Sequence, residues 1–392
     1  MALSAPGRKI LNTDAPPLLH WTEDGQPRSA RWRSERAAPP PRRVVLADDR
    51  INADKAFSLA TQGTGLLWRG DFHNARQLLD ALGRRIDKRS GQGKPGPLTA
   101  EAFHRLRMAR AQRARTLGML LIELDAQGGI ALRRAPDLRQ ACQEAWGENP
   151  DDLPQVASLR ELLGLVGAHE WRRKGLEIPS LGARIHPHYG VFAPVRSEYL
   201  DLVAQAPLAA QAATITAFDI GTGTGVLAAL LARRGVPHVV ATEISPRALA
   251  CAQANLEALG LTQTVTLLQA DLFPPQQADL IVCNPPWLPG RPSSLLEAAV
   301  YDPDSRMLRG FLDGLRAHLK PGGEGWLLLS DLAEHLGLRS RQTLLDWIAA
   351  AGLRVQARLE LRPRHPRSQD RSDPLYAARA AEITSLWRLC AA

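Results

Sequence analysis

The stretch AFDIGTGTGVLAALLARRG, residues 217–235, constrains this chain more than any other. An apolar run enters a turn with glycine at every second position, and an apolar helical stretch leaves it. Gly221, Gly223 and Gly225 allow a sharp turn and let main-chain N–H groups approach a ligand with no Cβ in the way. The alternation then continues. Strands are expected at Ile215–Ile220, Val239–Glu243, Val265–Ala270, Asp279–Asn284 and Trp326–Ser330. Helices fit between them at Val226–Arg233, Pro246–Leu259, Arg306–Leu319 and Ser340–Ala351. Such a pattern specifies an α/β, doubly wound, Rossmann-like parallel sheet with helices on both faces. Leu353–Leu361 and Ile383–Leu389 lack a long helical crossover and complete seven strands as an antiparallel edge.

Acidic residues close the second and third strands. Glu243 can accept hydrogen bonds from a ribose diol, and Asp271 in QADLF can accept from an adenine amino group. The spacing alone leaves two cofactor classes open, because Gly223-x-Gly225-x-x-Ala228 followed by Glu243 also fits a dinucleotide fingerprint.

The fourth strand ends in Asn284-Pro285-Pro286-Trp287. Two prolines stop the strand and stiffen the backbone. The Asn284 amide oxygen and the Pro285 carbonyl become fixed acceptors, and Trp287 offers a flat face for a planar group. An amide or aryl-amine nitrogen is a poor nucleophile because its lone pair is delocalised. Two acceptors on its two N–H bonds favour a pyramidal nitrogen whose lone pair points at a methyl sulfonium. This is catalysis by position and electrostatics, with no essential general base.

Residues 190–330 resemble a class I S-adenosylmethionine-dependent methyltransferase of the amino-methylating, NPPY/NPPW subgroup. The nearest likenesses are the HemK-type protein glutamine methyltransferases and the small-domain RNA guanine methyltransferases. The resemblance implies S-adenosylmethionine as cofactor. It puts Asp219, Gly221, Thr222, Gly223 and Gly225 at the methionine side, Glu243 at the ribose, and Asp271 with Leu272 at the adenine end. It puts Asn284, Pro285, Pro286 and Trp287 at the target nitrogen, with Asn284 also beside the cofactor. GVFAPVRSEYLDLV, residues 190–203, resembles the segment those enzymes place just before the catalytic domain. Three departures stand out: tryptophan replaces the usual tyrosine at 287, Leu272 stands where those enzymes often carry an aromatic residue, and HPRSQDRSDPLYAARAA, residues 365–381, is an insertion before the last strand. The implied acceptor is a planar nitrogen of a macromolecule. It is either a protein side-chain amide, as on a translation factor or ribosomal protein, or guanine N2 or adenine N6 in RNA or DNA. An NAD-dependent oxidoreductase is the remote alternative, and a cofactor-binding scaffold is another.

The rest of the chain says less about chemistry. Residues 1–50 are rich in proline and arginine and are expected to be a flexible tail, with Arg28, Arg31, Arg33, Arg36, Arg42 and Arg43 available for phosphates. Residues 51–175 are expected to be a helical substrate-recognition region, with helices at Asp71–Arg85, Thr99–Leu124 and Ser158–Val166. A hairpin at 176–195 leads into a methyltransferase domain over 176–392. The net charge of +9 favours an anionic partner. Cys142, Cys251, Cys283 and Cys390 show no CxxC pair and no metal-ligand spacing, so no metal is expected and the thiols suit a reducing, cytoplasmic setting. No secretory signal is evident at the N-terminus, and no apolar run approaches the roughly 20 residues of a membrane span.

Overall fold

The computed structural model describes residues 17–90, 99–208, 214–364 and 369–392. The chain divides into two compact units, one made of Met1–Arg89 and Arg113–Leu163, the other of Ser90–Gln112 and Gly164–Ala392.

Among the described residues the first unit holds six strands: β1 (Leu18–Glu23), β2 (Gln26–Arg33), β3 (Arg43–Ala47), β4 (Thr64–Trp68), β5 (Leu120–Leu124) and β6 (Gln155–Ser158). Their order in the sheet is β1-β2-β6-β5-β4-β3. Its helices are α1 (Ala53–Thr61), α2 (Phe72–Ser90) and α4 (Arg139–Trp146), together with the ends of α3 (Ala100–Leu117) and α5 (Leu159–Lys174) that fall within its bounds.

This corrects the expectation of a flexible tail followed by a helical region. Residues 1–16 lie outside the described residues, but from Leu18 the Pro/Arg-rich stretch is strand. Leu19, Trp21, Ala30 and Trp32 bury one face of the β1–β2 hairpin against Leu67, Leu121 and Val156. That burial outweighs the prolines, which fall at strand ends and in the loop before β3. Arg31 is buried and paired with Asp151, and Arg33 donates to Gln155 at 2.6 Å, so these two arginines are structural. The helix expected over Thr99–Leu124 stops at Leu117, and Leu120–Leu124 is β5. Fully buried strands such as TGLLW and QVAS carry no alternation, which is why this region showed no strand signal. Arg85 is paired with Asp54, and Arg113 with Asp87.

The second unit begins at Gly164 and also claims Ser90–Gln112, so the boundary expected at 176 is displaced. A hairpin of β7 (Leu176–Ile178) and β8 (Ala183–Ile185) and helix α6 (Glu198–Gln205) lead into a sheet that has seven strands among the described residues. The chain runs β9 (Thr216–Ile220), α7 (Val226–Arg233), β10 (His238–Glu243), α8 (Pro246–Ala258), β11 (Val265–Gln269) and β12 (Ala278–Cys283). Then follow β13 (Leu288–Pro289), α9 (Leu295–Ala298), β14 (Tyr301–Asp302), α10 (Arg306–His318), β15 (Leu319–Ser330), α11 (Leu332–His335) and α12 (Arg341–Ala350). The last elements are β16 (Leu353–Leu361), α13 (Tyr376–Ala381) and β17 (Thr384–Ala391).

The order is β11-β10-β9-β12-β15-β17-β16, parallel from β11 to β15, with β17 antiparallel to both of its neighbours. From β9 the chain steps outward through β10 to β11, then returns to the other side of β9 as β12. That reversal makes the carboxyl ends of β9 and β12 the topological switch point, where open α/β sheets bind ligands. Core residues cover both faces, with Ala217, Val282 and Trp326 in one cluster and Phe218, Ile281 and Leu327 in the other. Among the described residues no helix is long and apolar enough to cross a membrane.

Candidate active site

Strand register brings the candidate residues together. Ile220 pairs with Thr242 on one side and Cys283 on the other, so the chains leaving β9, β10 and β12 emerge side by side as Gly221, Glu243 and Asn284. These ends open into a cavity of about 930 Å³. It is lined by Gly221, Thr222, Gly223, Glu243, Asp271, Leu272 and all of Asn284–Trp287.

The turn after β9 needs glycine for two separate reasons. Gly221 has φ +73°, and a Cβ there would lie 2.5 Å from Met307 Cε. Gly225, at φ +81°, packs against Ala252, whose Cβ would be 3.2 Å from any added at 225. The Gly221 and Thr222 N–H groups donate to Thr242 O, both at 2.9 Å, which ties the turn to β10.

Asp219 and Gly225 sit beneath this loop and do not line the cavity. Asp219 is fully buried; its Oδ2 accepts from Thr222 Oγ1 at 2.6 Å and from Ala228 N at 3.0 Å. Its Oδ1 is buried with no partner among the described residues. Burial pushes the carboxyl up to about 6, against the two hydrogen bonds that lower it. A carboxyl raised in the fold from its ordinary 3.8 holds its proton longer than in the unfolded chain. Stability is therefore greatest below about pH 4 and is lost as the pH rises towards 6, by about 3 kcal/mol in all. Asp219→Asn should remove that contribution. Melting temperatures of both proteins between pH 4.5 and 7.5 should show the wild type falling further than the variant, and parallel profiles would refute the assignment.

Glu243 is held at both oxygens. Oε2 accepts from Gly223 N at 3.1 Å and Oε1 from Ser245 N at 3.0 Å, leaving the remaining lone pairs for a diol. Asp271 is partnered by Arg306 at 2.5 Å across an exposed pair. Leu272 adopts φ +73°, a left-handed conformation unusual for leucine, with its carbonyl accepting from Thr242 Oγ1 at 2.6 Å.

On the acceptor side, Trp287 Nε1 donates to Asn284 Oδ1 at 2.9 Å. One face of the Trp287 ring is covered by the Arg196 guanidinium, 4.9 Å from its centroid. One face of the expected stacking platform is therefore occupied. Leu288, Phe103, Leu332 and Leu375 pack in one apolar cluster just beyond it. The segment 365–381, apart from 365–368, which lie outside the described residues, contributes Leu375 and Arg379 to the cavity wall.

Other residues here carried no local sequence signal. Asp302 caps α10, accepting from Met307 N and Leu308 N, both at 3.0 Å. Arg196 reaches Glu198 and Glu382, the latter far along the chain. Among the described residues no group of three or more His, Cys, Asp or Glu side chains is placed to hold a metal ion.

A family model described as methyltransferase small domain matches residues 183–340. A release factor glutamine methyltransferase of Cereibacter sphaeroides is 35% identical over 178 residues, 42% of this chain and 59% of its own length. One from Moorella thermoacetica is 40% identical over 145 residues, 35% of this chain and 51% of its own. A tRNA1(Val) (adenine(37)-N6)-methyltransferase of Shewanella loihica is 32% identical over 179 residues, 43% of this chain and 70% of its own. The chain thus spans little more than half the length of the two glutamine methyltransferases.

Proposed function

The chain belongs to the methyltransferase small domain family, and on that premise we propose that it transfers a methyl group from S-adenosylmethionine to a side-chain amide nitrogen of a protein, glutamine on a translation-related substrate in the cytoplasm. The observation that carries this reading is Asn284, at the switch point one strand from the glycine turn, with its carboxamide oriented by Trp287.

The cavity suits the cofactor. Glu243 offers anchored acceptors for the ribose, and Asp271 with Leu272 borders the adenine end. Asp219, buried beneath the turn, accepts from Thr222 Oγ1 and Ala228 N and so braces the loop that borders the methionine side. When bound, S-adenosylmethionine supplies an electrophilic methyl on its sulfonium. The chain's own task is orientation. Asn284 Oδ1 and the Pro285 carbonyl each accept one N–H of the target and hold its lone pair on the line of attack. Pro285 and Pro286 keep those acceptors from relaxing, so no reorganisation is needed during transfer.

Arg196 on one face of Trp287 narrows the acceptor side, which favours a slender side-chain amide over a stacked base. Nucleic acid is the second reading, supported by the match that covers 70% of the tRNA adenine-N6 enzyme. Labelled S-adenosylmethionine with cell extract separates them. The label should be released by protease and survive nuclease. Label released by nuclease alone would transfer the reading to RNA or DNA.

A further inference from the structure

The two ion pairs of Arg196, with Glu198 and Glu382, have no part in the chemistry described so far. We propose that Arg196, pinned by Glu198 and Glu382, is a positioning residue that clamps Trp287 and through it sets the Asn284 carboxamide. The proposal rests on the reading of Asn284 as the acceptor for the target nitrogen, but the clamp itself can be tested without it.

The arginine is tethered at two points. Its Nε donates to Glu198 Oε1 at 2.8 Å, and Nη2 lies 2.9 Å from Glu382 Oε1 in an ion-pair contact. Both carboxylates are buried, Glu198 at 2% exposure and Glu382 at 1%. Two charges this deep are tolerable only while paired, so the cation is not free to swing away. The carboxylates are in turn fixed. Glu382 accepts from the Ser330 hydroxyl, and Glu198 accepts from Thr384 Oγ1 at 3.4 Å. Next to them, Ile383 N donates to Asp331 Oδ1 at 2.7 Å and Asp331 N donates to Ile383 O at 3.1 Å, which locks the chain carrying Glu382 to the end of β15.

A guanidinium so held lies over the Trp287 ring at cation–π distance. The far side of the motif is also secured, since Leu288 is buried against Phe103 and Leu375. The clamped indole then has one hydrogen to give, and Asn284 Oδ1 receives it. An indole N–H only donates, so it distinguishes the oxygen of the carboxamide from its nitrogen; flipping Asn284 would set two donors against each other. The order of dependence runs Ser330, Glu382, Arg196, Trp287, Asn284. Glu382 directly follows α13, so the anchor for the acceptor-orienting asparagine stands at the junction between the insertion and β17.

Arg196→Lys tests this without stripping the charge from the two carboxylates, because a lysine ammonium still pairs with them but lacks the fork that spans both and reaches over the ring, so its contact with the indole weakens. In the nitrogen-15-labelled full chain, the Trp287 indole N–H resonance is identified by its loss in Trp287→Phe. Its hydrogen exchange should speed up by about threefold or more in Arg196→Lys, the scale of a weakened cation–π contact, with the other indole resonances unmoved. Glu382→Gln should shift the same resonance in the same direction, and serves if the lysine variant folds poorly. In the extract assay, Arg196→Lys should lower turnover while cofactor affinity by calorimetry stays at the wild-type value, a split that a purely structural role would not produce. Unchanged indole exchange in both variants overturns the clamp. Absence of methyl transfer by the wild type would instead overturn the proposed function, and the exchange result would still decide the clamp.

Discussion

Asn284→Ala should reduce methyl transfer by roughly 10²- to 10³-fold, the cost of deleting one preorganised polar contact to a developing charge. The effect should fall on kcat, because the contact to the target nitrogen strengthens as that nitrogen pyramidalises and gains positive character. Cofactor affinity should stay near the wild-type value, since the ribose acceptor Glu243 belongs to a different strand end. The variant also leaves the Trp287 indole N–H without its 2.9 Å partner, so part of the loss would reflect a freer ring. Asn284→Asp separates the two contributions. It keeps an oxygen for the indole and an acceptor for the substrate, and should lose less than the alanine variant. Single-turnover rates with saturating cofactor are the measurement. Full turnover in Asn284→Ala would end the argument from NPPW.

The sheet that builds this site was legible almost strand by strand. Val226–Arg233 and Leu353–Leu361 have the expected bounds, and β9 to β12 begin and end within a residue or so of expectation. The reason is physical: buried parallel strands separated by amphipathic helices of ordinary length leave few other ways to hide the apolar residues. The glycine turn, Glu243 and Asn284 were legible because each sits at a strand end, where topology alone determines its neighbours.

What was missed was non-local. Nothing near Arg196 in the chain announces Glu382, and nothing in NPPW announces that one tryptophan face is taken. Arg31 looked like a solvated tail residue because its partner Asp151 belongs to a distant loop. In the first unit β4, β5 and β6 were missed because they are short, almost wholly buried and interleaved with helices, so periodicity had no contrast to register there. The role of Asp219 was blurred for a related reason: sequence puts it in the motif, but only the fold puts it beneath the loop rather than in the cavity.

Glu243→Ala should weaken S-adenosylmethionine binding by about 2–3 kcal/mol, roughly 30- to 150-fold, the range for hydrogen bonds to a charged acceptor. Two losses combine in that figure. The first is the direct contact to the ribose diol. The second is the brace on the turn, since Glu243 holds Gly223 N at 3.1 Å and Ser245 N at 3.0 Å. Without it the Gly223 N–H loses its anchor, and the loop must be ordered at the expense of binding. Glu243→Gln keeps the side-chain volume and one acceptor oxygen but exchanges the other for a donor, which opposes either Gly223 N or Ser245 N. It should therefore retain part of the affinity yet stay well below wild type. Isothermal titration with S-adenosylmethionine and with NADH decides the matter for both cofactor classes. Tight NADH binding by the wild type would restore the dinucleotide reading that Gly223-x-Gly225-x-x-Ala228 left open. S-adenosylmethionine affinity unchanged in Glu243→Ala would show that the carboxylate at the end of β10 neither touches the ribose nor orders the loop for binding.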